Sequence, residues 1–202
     1  MASRIIHWVI GEKLLAQKAF RYFDRNQFLL GNLLPDAHDG TLSGNSRAHF
    51  RRRINGEYAK VPDIDYLSFQ NKYASHLNKS IVAGYYCHLL SDYKWVNHRF
   101  ISNHIATDSE EYISQRMLMH RDFGLLNALL IEHFKLHPVN FLDIPYDIIV
   151  QEADKSFIPT ISRGLEQDFE NRPEGELSLL KMDLILVYID EAVAFCMEKL
   201  QV

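Results

Sequence analysis

Cysteine is scarce in this sequence: Cys87 and Cys196 are the only two in 202 residues, and they lie far apart. That excludes a disulfide framework and leaves each as a small buried thiol. Long apolar runs are also missing. No stretch of about 18 uncharged apolar residues is present to span a bilayer. The segment Leu184 to Phe195 is interrupted by Asp190 and Glu191 and reads as a core-packed helix. Ile5, Ile6, His7 and Trp8 are not followed by the apolar core and cleavage site of a secretory signal, so a soluble cytoplasmic protein is expected. A basic excess is absent too. The formal net charge is −4, which argues against a stable nucleic-acid complex but leaves room for a nucleotide in a narrow groove. No run alternates with the period of a strand, and no repeat, low-complexity tract or linker interrupts the chain.

What is present is helical periodicity, in a length that suits one domain over residues 1–202. The fold class expected is therefore all-α, a single-domain multi-helix bundle. Arg4 to Phe23 predicts an amphipathic first helix through Ile6, Ile10, Leu14, Phe20 and Phe23. Phe28 to Asp36, punctuated by Gly31 and Pro35, reads as a tightly packed turn rather than a long helix. Residues 37–63, with Gly40, Gly44, Gly56 and Pro62, read as a functional loop. Tyr66, Phe69, Tyr73 and Leu77 share one helical face, and Ser80 to about Asn103 forms a second strong helix. A further helix opens at Asp108 with Glu111 as a capping box and runs to about Phe134. Pro145, Pro159 and Pro173 divide the next stretch into short helices, and Ser178 to Leu200 forms the last.

Histidine is the residue in excess. Of ten, seven lie between His7 and His104, and none follows His137. The sharpest local pattern is His88-Leu-Leu-Ser-Asp92 on the second strong helix. One turn separates its ends, so imidazole and carboxylate project from one face, as two ligands of a single ion must. His98 stands roughly 15 Å beyond His88 along a straight helix, too far to share that ion, but about 9 Å from Asp92. It suits a neighbouring ion in a cluster.

The order of these residues resembles a known family. His7, then Leu-Gly-Asn-Leu-Leu-Pro-Asp36, then His49, His88-xxx-Asp92, His98 and His120 follow the pattern of the zinc-dependent phospholipase C family and the related fungal single-strand-specific nucleases. The resemblance spans about residues 5–125 and implies an all-helical hydrolase with one to three zinc ions. It implies that Asp36, His49, His88 and Asp92 hold one ion, that Asp92 bridges to a second held with His7, and that His98 and His120 begin a third site. It also implies that metal-bound hydroxide, oriented by Asp36, attacks a phosphoester such as a lipid head group, a nucleotide or a small molecule. Imidazole and carboxylate are suitable zinc ligands. There are two departures. The family's third site gains a carboxylate one turn after its last histidine, where this chain has Gly124, while Asp122 faces elsewhere on the helix. The mature N-terminal amine and carbonyl that ligate metal in secreted relatives are not expected to do so here.

Two other readings stand beside it. His38-Asp39 supplies the dipeptide of an HD-type helical metallophosphohydrolase, with His7 or His49 and Asp92 as partners, but it falls in a glycine-rich loop rather than on a helix. The glycine at position 124 suits a catalytically degenerate binding module on the same scaffold. Arg51, Arg52 and Arg53 read as a solvated face or a contact for substrate phosphate. His76, His104, His133 and His137 read as surface or capping residues, His38 as an outer-shell group, and Met117 and Met119 as packing.

Overall fold

The computed structural model describes residues 2–58, 63–97, 110–144 and 150–200. Among them the chain is predominantly helical: α1 (Arg4–Leu15), α2 (Arg25–Gly31), α3 (Leu42–Ala48), α4 (Tyr66–Tyr73), α5 (Ser80–Asn97), α6 (Glu110–Phe134), α7 (Ile158–Glu170) and α8 (Met182–Leu200). One small antiparallel hairpin, β1 (Arg53–Ile54) and β2 (Glu57–Tyr58), projects between α3 and α4.

Two helices form the centre. In α1 every residue from Ile5 to Gly11 is buried, and in α5 every residue from Ile81 to Asp92 is buried. A helix apolar on all sides belongs inside, and α1 accordingly packs against α2, α5, α6, α7 and α8. Trp8, Trp95, Tyr85, Tyr86 and Tyr188 lose all contact with solvent around this pair. The buried polar residues of the two inner helices are His7, His88, Ser91 and Asp92, all with no solvent exposure.

The structure corrects several of the sequence-based boundaries. The first helix stops at Leu15. The Gln17 side chain bonds back to the Lys13 carbonyl, and a single 3₁₀ turn, Lys18–Phe20, seats Phe20 against Phe23 and Phe28. Phe28 lies not in a turn but in α2, which Asp24 caps through Gln27 N–H; a 3₁₀ turn, Leu34–Asp36, follows. The supposed loop after Asp36 contains α3, capped by Thr41, and the hairpin. The last helix starts at Met182 rather than Ser178, because the buried Asp122 carboxylate accepts the N–H groups of Ser178, Leu179 and Leu180 and holds that segment in a bend against α6. Met117 is exposed rather than packed, whereas Met119 does lie against the core. No helix among the described residues is long and apolar enough to cross a membrane.

Candidate metal centre

Five of the seven sequence-predicted ligands come together. α1 supplies His7 and α5 supplies His88 and Asp92. Asp36 ends the 3₁₀ turn after α2, and His49 caps the C-terminus of α3. His7, His49, His88 and Asp92 are completely buried, while the Asp36 side chain keeps 24% exposure and marks the open edge.

The backbone at His49 is unusual. Arg51 N–H bonds to Ser46 O and Phe50 N–H to Arg47 O, which is a Schellman ending of α3. Its left-handed position is occupied by Phe50 at φ 49° instead of glycine. That conformation costs roughly 1–2 kcal/mol for a residue with a Cβ. Phe50 packs edge-on against Phe69, which offsets the cost.

Each imidazole has one nitrogen committed elsewhere. His88 Nδ1 lies 2.8 Å from Asn32 O and His49 Nδ1 lies 2.9 Å from Asn45 O. A carbonyl only accepts, so both nitrogens carry hydrogen. Ser91 donates its hydroxyl to His88 O and therefore receives its other bond, at 2.9 Å, from His7 Nδ1–H. All three Nε2 atoms turn inward as lone pairs, and none has a hydrogen-bond partner; neither has Asp92 Oδ2. They face carboxylates: His7 Nε2 is 3.4 Å from Asp92 Oδ1, His88 Nε2 3.3 Å and His49 Nε2 3.6 Å from Asp92 Oδ2, and His49 Nε2 3.4 Å from Asp36 Oδ1.

Lone pairs facing lone pairs at this spacing could be reconciled by a cation held between them. A charge-assisted N–H···O⁻ bond would close to about 2.7–2.9 Å. Donors sharing one zinc at about 2.0–2.2 Å in a tetrahedron stand about 3.3–3.6 Å apart, which is the spacing seen. Committed Nδ1 groups are also the support that metal-ligating histidines require. The donor set fits divalent ions of the zinc type.

Geometry further separates the ligands into two groups. The ligand atoms of His7, His88 and Asp92 lie within 4.8 Å of one another, as do those of Asp36, His49 and His88. The rings of His7 and His88, however, are stacked with centroids 3.7 Å apart and planes 13° apart. Lone pairs lying in two such planes cannot meet at one atom near the rings. His7 and His88 therefore suit different ions, with Asp92 offering Oδ1 to one and Oδ2 to the other. The His7 side is the emptier, and Ala2 N–H donates to its Asp92 Oδ1 at 3.2 Å.

The electrostatics agree with a cation-seeking pocket. Burial pushes the carboxyls of Asp36 and Asp92 up, but the facing imidazoles, His49 and His88 for Asp36 and His88 and His7 for Asp92, outweigh it and hold both well below the usual range. Burial and the neighbouring His88 depress His7. His88 moves the other way: burial lowers it, but Asp92 and Asp36 together raise it above the ordinary value.

The remaining expectations divide as follows. His98 and His104 lie outside the described residues. His120 is exposed on α6, its ring edge-on to Phe123, and belongs to neither donor group. Gly124 is exposed as well, so the described residues do not complete a third site. The His38-Asp39 dipeptide is not in either group. Asp39 accepts from the N–H and hydroxyl of Thr41, and His38 accepts from Gly40 N–H while its Nε2 meets the Asn45 side chain. The sequence reading missed Asn32, Ser91 and Asn45, which orient the ligands; asparagine in the Leu-Gly-Asn-Leu-Leu-Pro-Asp segment was the available signal. Arg52 pairs with Asp63, and Arg47 is an exposed cation two residues before His49.

The molecule is thus a helical protein whose two innermost helices and two flanking turns enclose a His/Asp cluster able to hold metal. No protein-family model matches the chain, and comparison with curated proteins and with solved structures finds no significant match.

Proposed function

We propose that the protein is a metal-dependent phosphoester hydrolase, with zinc as the ion its donors suit. One observation carries the reading: three buried imidazoles whose Nδ1 groups are committed turn unpartnered Nε2 atoms onto a carboxylate that faces two donor groups at once. A pair of divalent ions about 3.5–4 Å apart lowers the pKa of bound water and stabilises both attacking and leaving oxygens of a phosphoryl transfer. Asp92 balances their charge, and Asp36, the member open to solvent, is placed to take the proton of an attacking water. Arg47, exposed on the helix that delivers His49, offers charge to a substrate phosphate.

The test is elemental analysis of the purified protein, followed by hydrolysis of chromogenic phosphodiesters and phosphomonoesters with and without added zinc. Metal content with zinc-dependent turnover, abolished in Asp36→Asn, is expected. No metal on purification and no uptake on reconstitution would overturn the reading. Metal uptake without turnover would favour the non-catalytic module.

A further inference from the structure

We infer that Asn32 is the positioning residue that holds the His7/His88 stack in register and so decides whether the cluster takes its second ion. The inference deepens the metal-centre reading and rests on it only for its metal readout.

Asn32 is completely buried at the C-cap of α2, between the two ligand-bearing helices. Its backbone carbonyl accepts from His88 Nδ1 at 2.8 Å, and its side-chain Nδ2 donates to the His7 carbonyl. The orientation of the amide follows from chemistry, because His7 O can only accept and so must face the NH₂ end. One residue thereby grips α5 by a ring and α1 by the backbone that carries the other ring. No other described contact ties both members of the stack to α2.

The surrounding packing is built for this grip. A Cβ on Gly84 would lie 2.0 Å from Phe28 O and 2.9 Å from Asn32 N, and one on Gly31 would lie 2.1 Å from Ile81 O. Only bare backbone on both helices lets α2 and α5 approach closely enough for the Asn32 carbonyl to reach His88. On the third side, a Cβ on Gly11 would stand 3.0 Å from Asn32 Nδ2 and 2.8 Å from Leu29 Cδ2. Gly84 and Gly11 thus face Asn32 from two helices, and Gly31 lets α2 and α5 close beside it.

Loss of the amide frees His7 to slide along α5. The ring planes then lose their 3.7 Å stacking, and His7 no longer faces Asp92 Oδ1. The Asp36/His49/His88 group does not depend on that bond. Supporting groups of this kind are worth about 10–100-fold in metal affinity.

Two readouts on Asn32→Ala test this. In the metal-free protein, imidazole proton shifts report ring stacking: wild type should show upfield-shifted His7 and His88 signals, and Asn32→Ala should lose them. In zinc titration, and in the d–d spectrum of the cobalt-substituted protein, the first equivalent should bind nearly as in wild type while the second weakens about 10–100-fold. Gly11→Ala, which presses on the same amide through a mobile Leu29, should reproduce both effects and decides the matter if Asn32→Ala does not fold. Unshifted stacking signals together with wild-type affinity for the second ion in the folded variant would overturn the inference. A wild type that binds no zinc overturns the metal reading instead, and the ring shifts still judge Asn32.

Discussion

The cluster has two kinds of walls. His7, His88 and Asp92 stand on the two inner helices, α1 and α5, which are buried on all sides. Asp36 and His49 stand on a 3₁₀ turn and a helix ending, with Asp36 at the edge where solvent enters. The helical wall carries the one member common to both donor groups, His88. The turn wall belongs to one group and carries local strain at Phe50. In the hydrolase proposed above, ion retention would fall to the helices, and adjustment to substrate and water to the turns.

The largest effect should come from breaking the carboxylate of the helical wall. Asp92→Asn preserves shape but removes the charge that faces all three imidazoles, so metal content should fall to a trace and turnover by about 10³-fold or more. Asp36→Asn, on the turn wall, should keep at least one ion and weaken affinity by roughly 10–100-fold, although turnover is lost with the proton acceptor. His76→Ala, in the 3₁₀ turn before α5, is the control for both and should retain full metal content. Equal metal loss in Asp92→Asn and Asp36→Asn would erase the distinction between the walls.

Proton and metal compete for the helical wall, and the two stacked histidines respond with opposite signs. His88 is raised above 6.5, so its contribution to stability is present below pH 6.5 and is lost as pH rises through its folded value. His7 is lowered, so it costs stability as pH falls below 6.5. Asp36 and Asp92 are depressed and contribute above 3.8, losing that contribution as pH falls through their folded values. In the metal-free His7→Gln protein the His88 sign is exposed: melting temperature should drop as pH rises above 6.5, and zinc should remove that drop. Thermal melts across the neutral range, with and without chelator, provide the check.

A smaller difference separates two variants of the turn wall. Phe50→Ala keeps the left-handed cost and loses packing on Phe69, whereas Phe50→Gly loses the packing but also relieves the cost. The glycine variant should be the more stable of the two by about 1 kcal/mol in denaturant unfolding. A more stable alanine variant would show that the strain is not there. The smallest effect is expected outside both walls: His120→Ala, exposed on α6, should leave the zinc affinity of the cluster unchanged. A clear loss there would place His120 at the site and revise its reach.

Legibility in the sequence follows the same division. The His88–Asp92 pair could be read because helix periodicity converts a four-residue spacing into a shared face. That α5 is buried from Ile81 to Asp92 was not read from the sequence, which showed only its apolar periodicity. His7, Asp36 and His49 were placed by their order in a family-like pattern, and the structure brings all three to that pair. The turn between Phe28 and Asp36 was misread because glycine and proline there do not break structure. Gly31 instead permits close helix crossing, and Pro35 opens a 3₁₀ turn. Phe50 carries no sequence signal for a left-handed residue, since aromatic residues avoid that region unless packing compensates.

By itself, then, the sequence determined the long helices and the shared face of His88 and Asp92. These follow from local spacing and hydrophobic pattern, each encoded within a few turns of chain. Only the tertiary structure decided that the His7 and His88 rings stack and that all three Nε2 atoms remain open. It alone also brought the Asn32 amide and carbonyl between the two inner helices. Those features depend on how closely α1, α2 and α5 approach, a distance set by contacts among residues remote in the chain, which no spacing within one helix records.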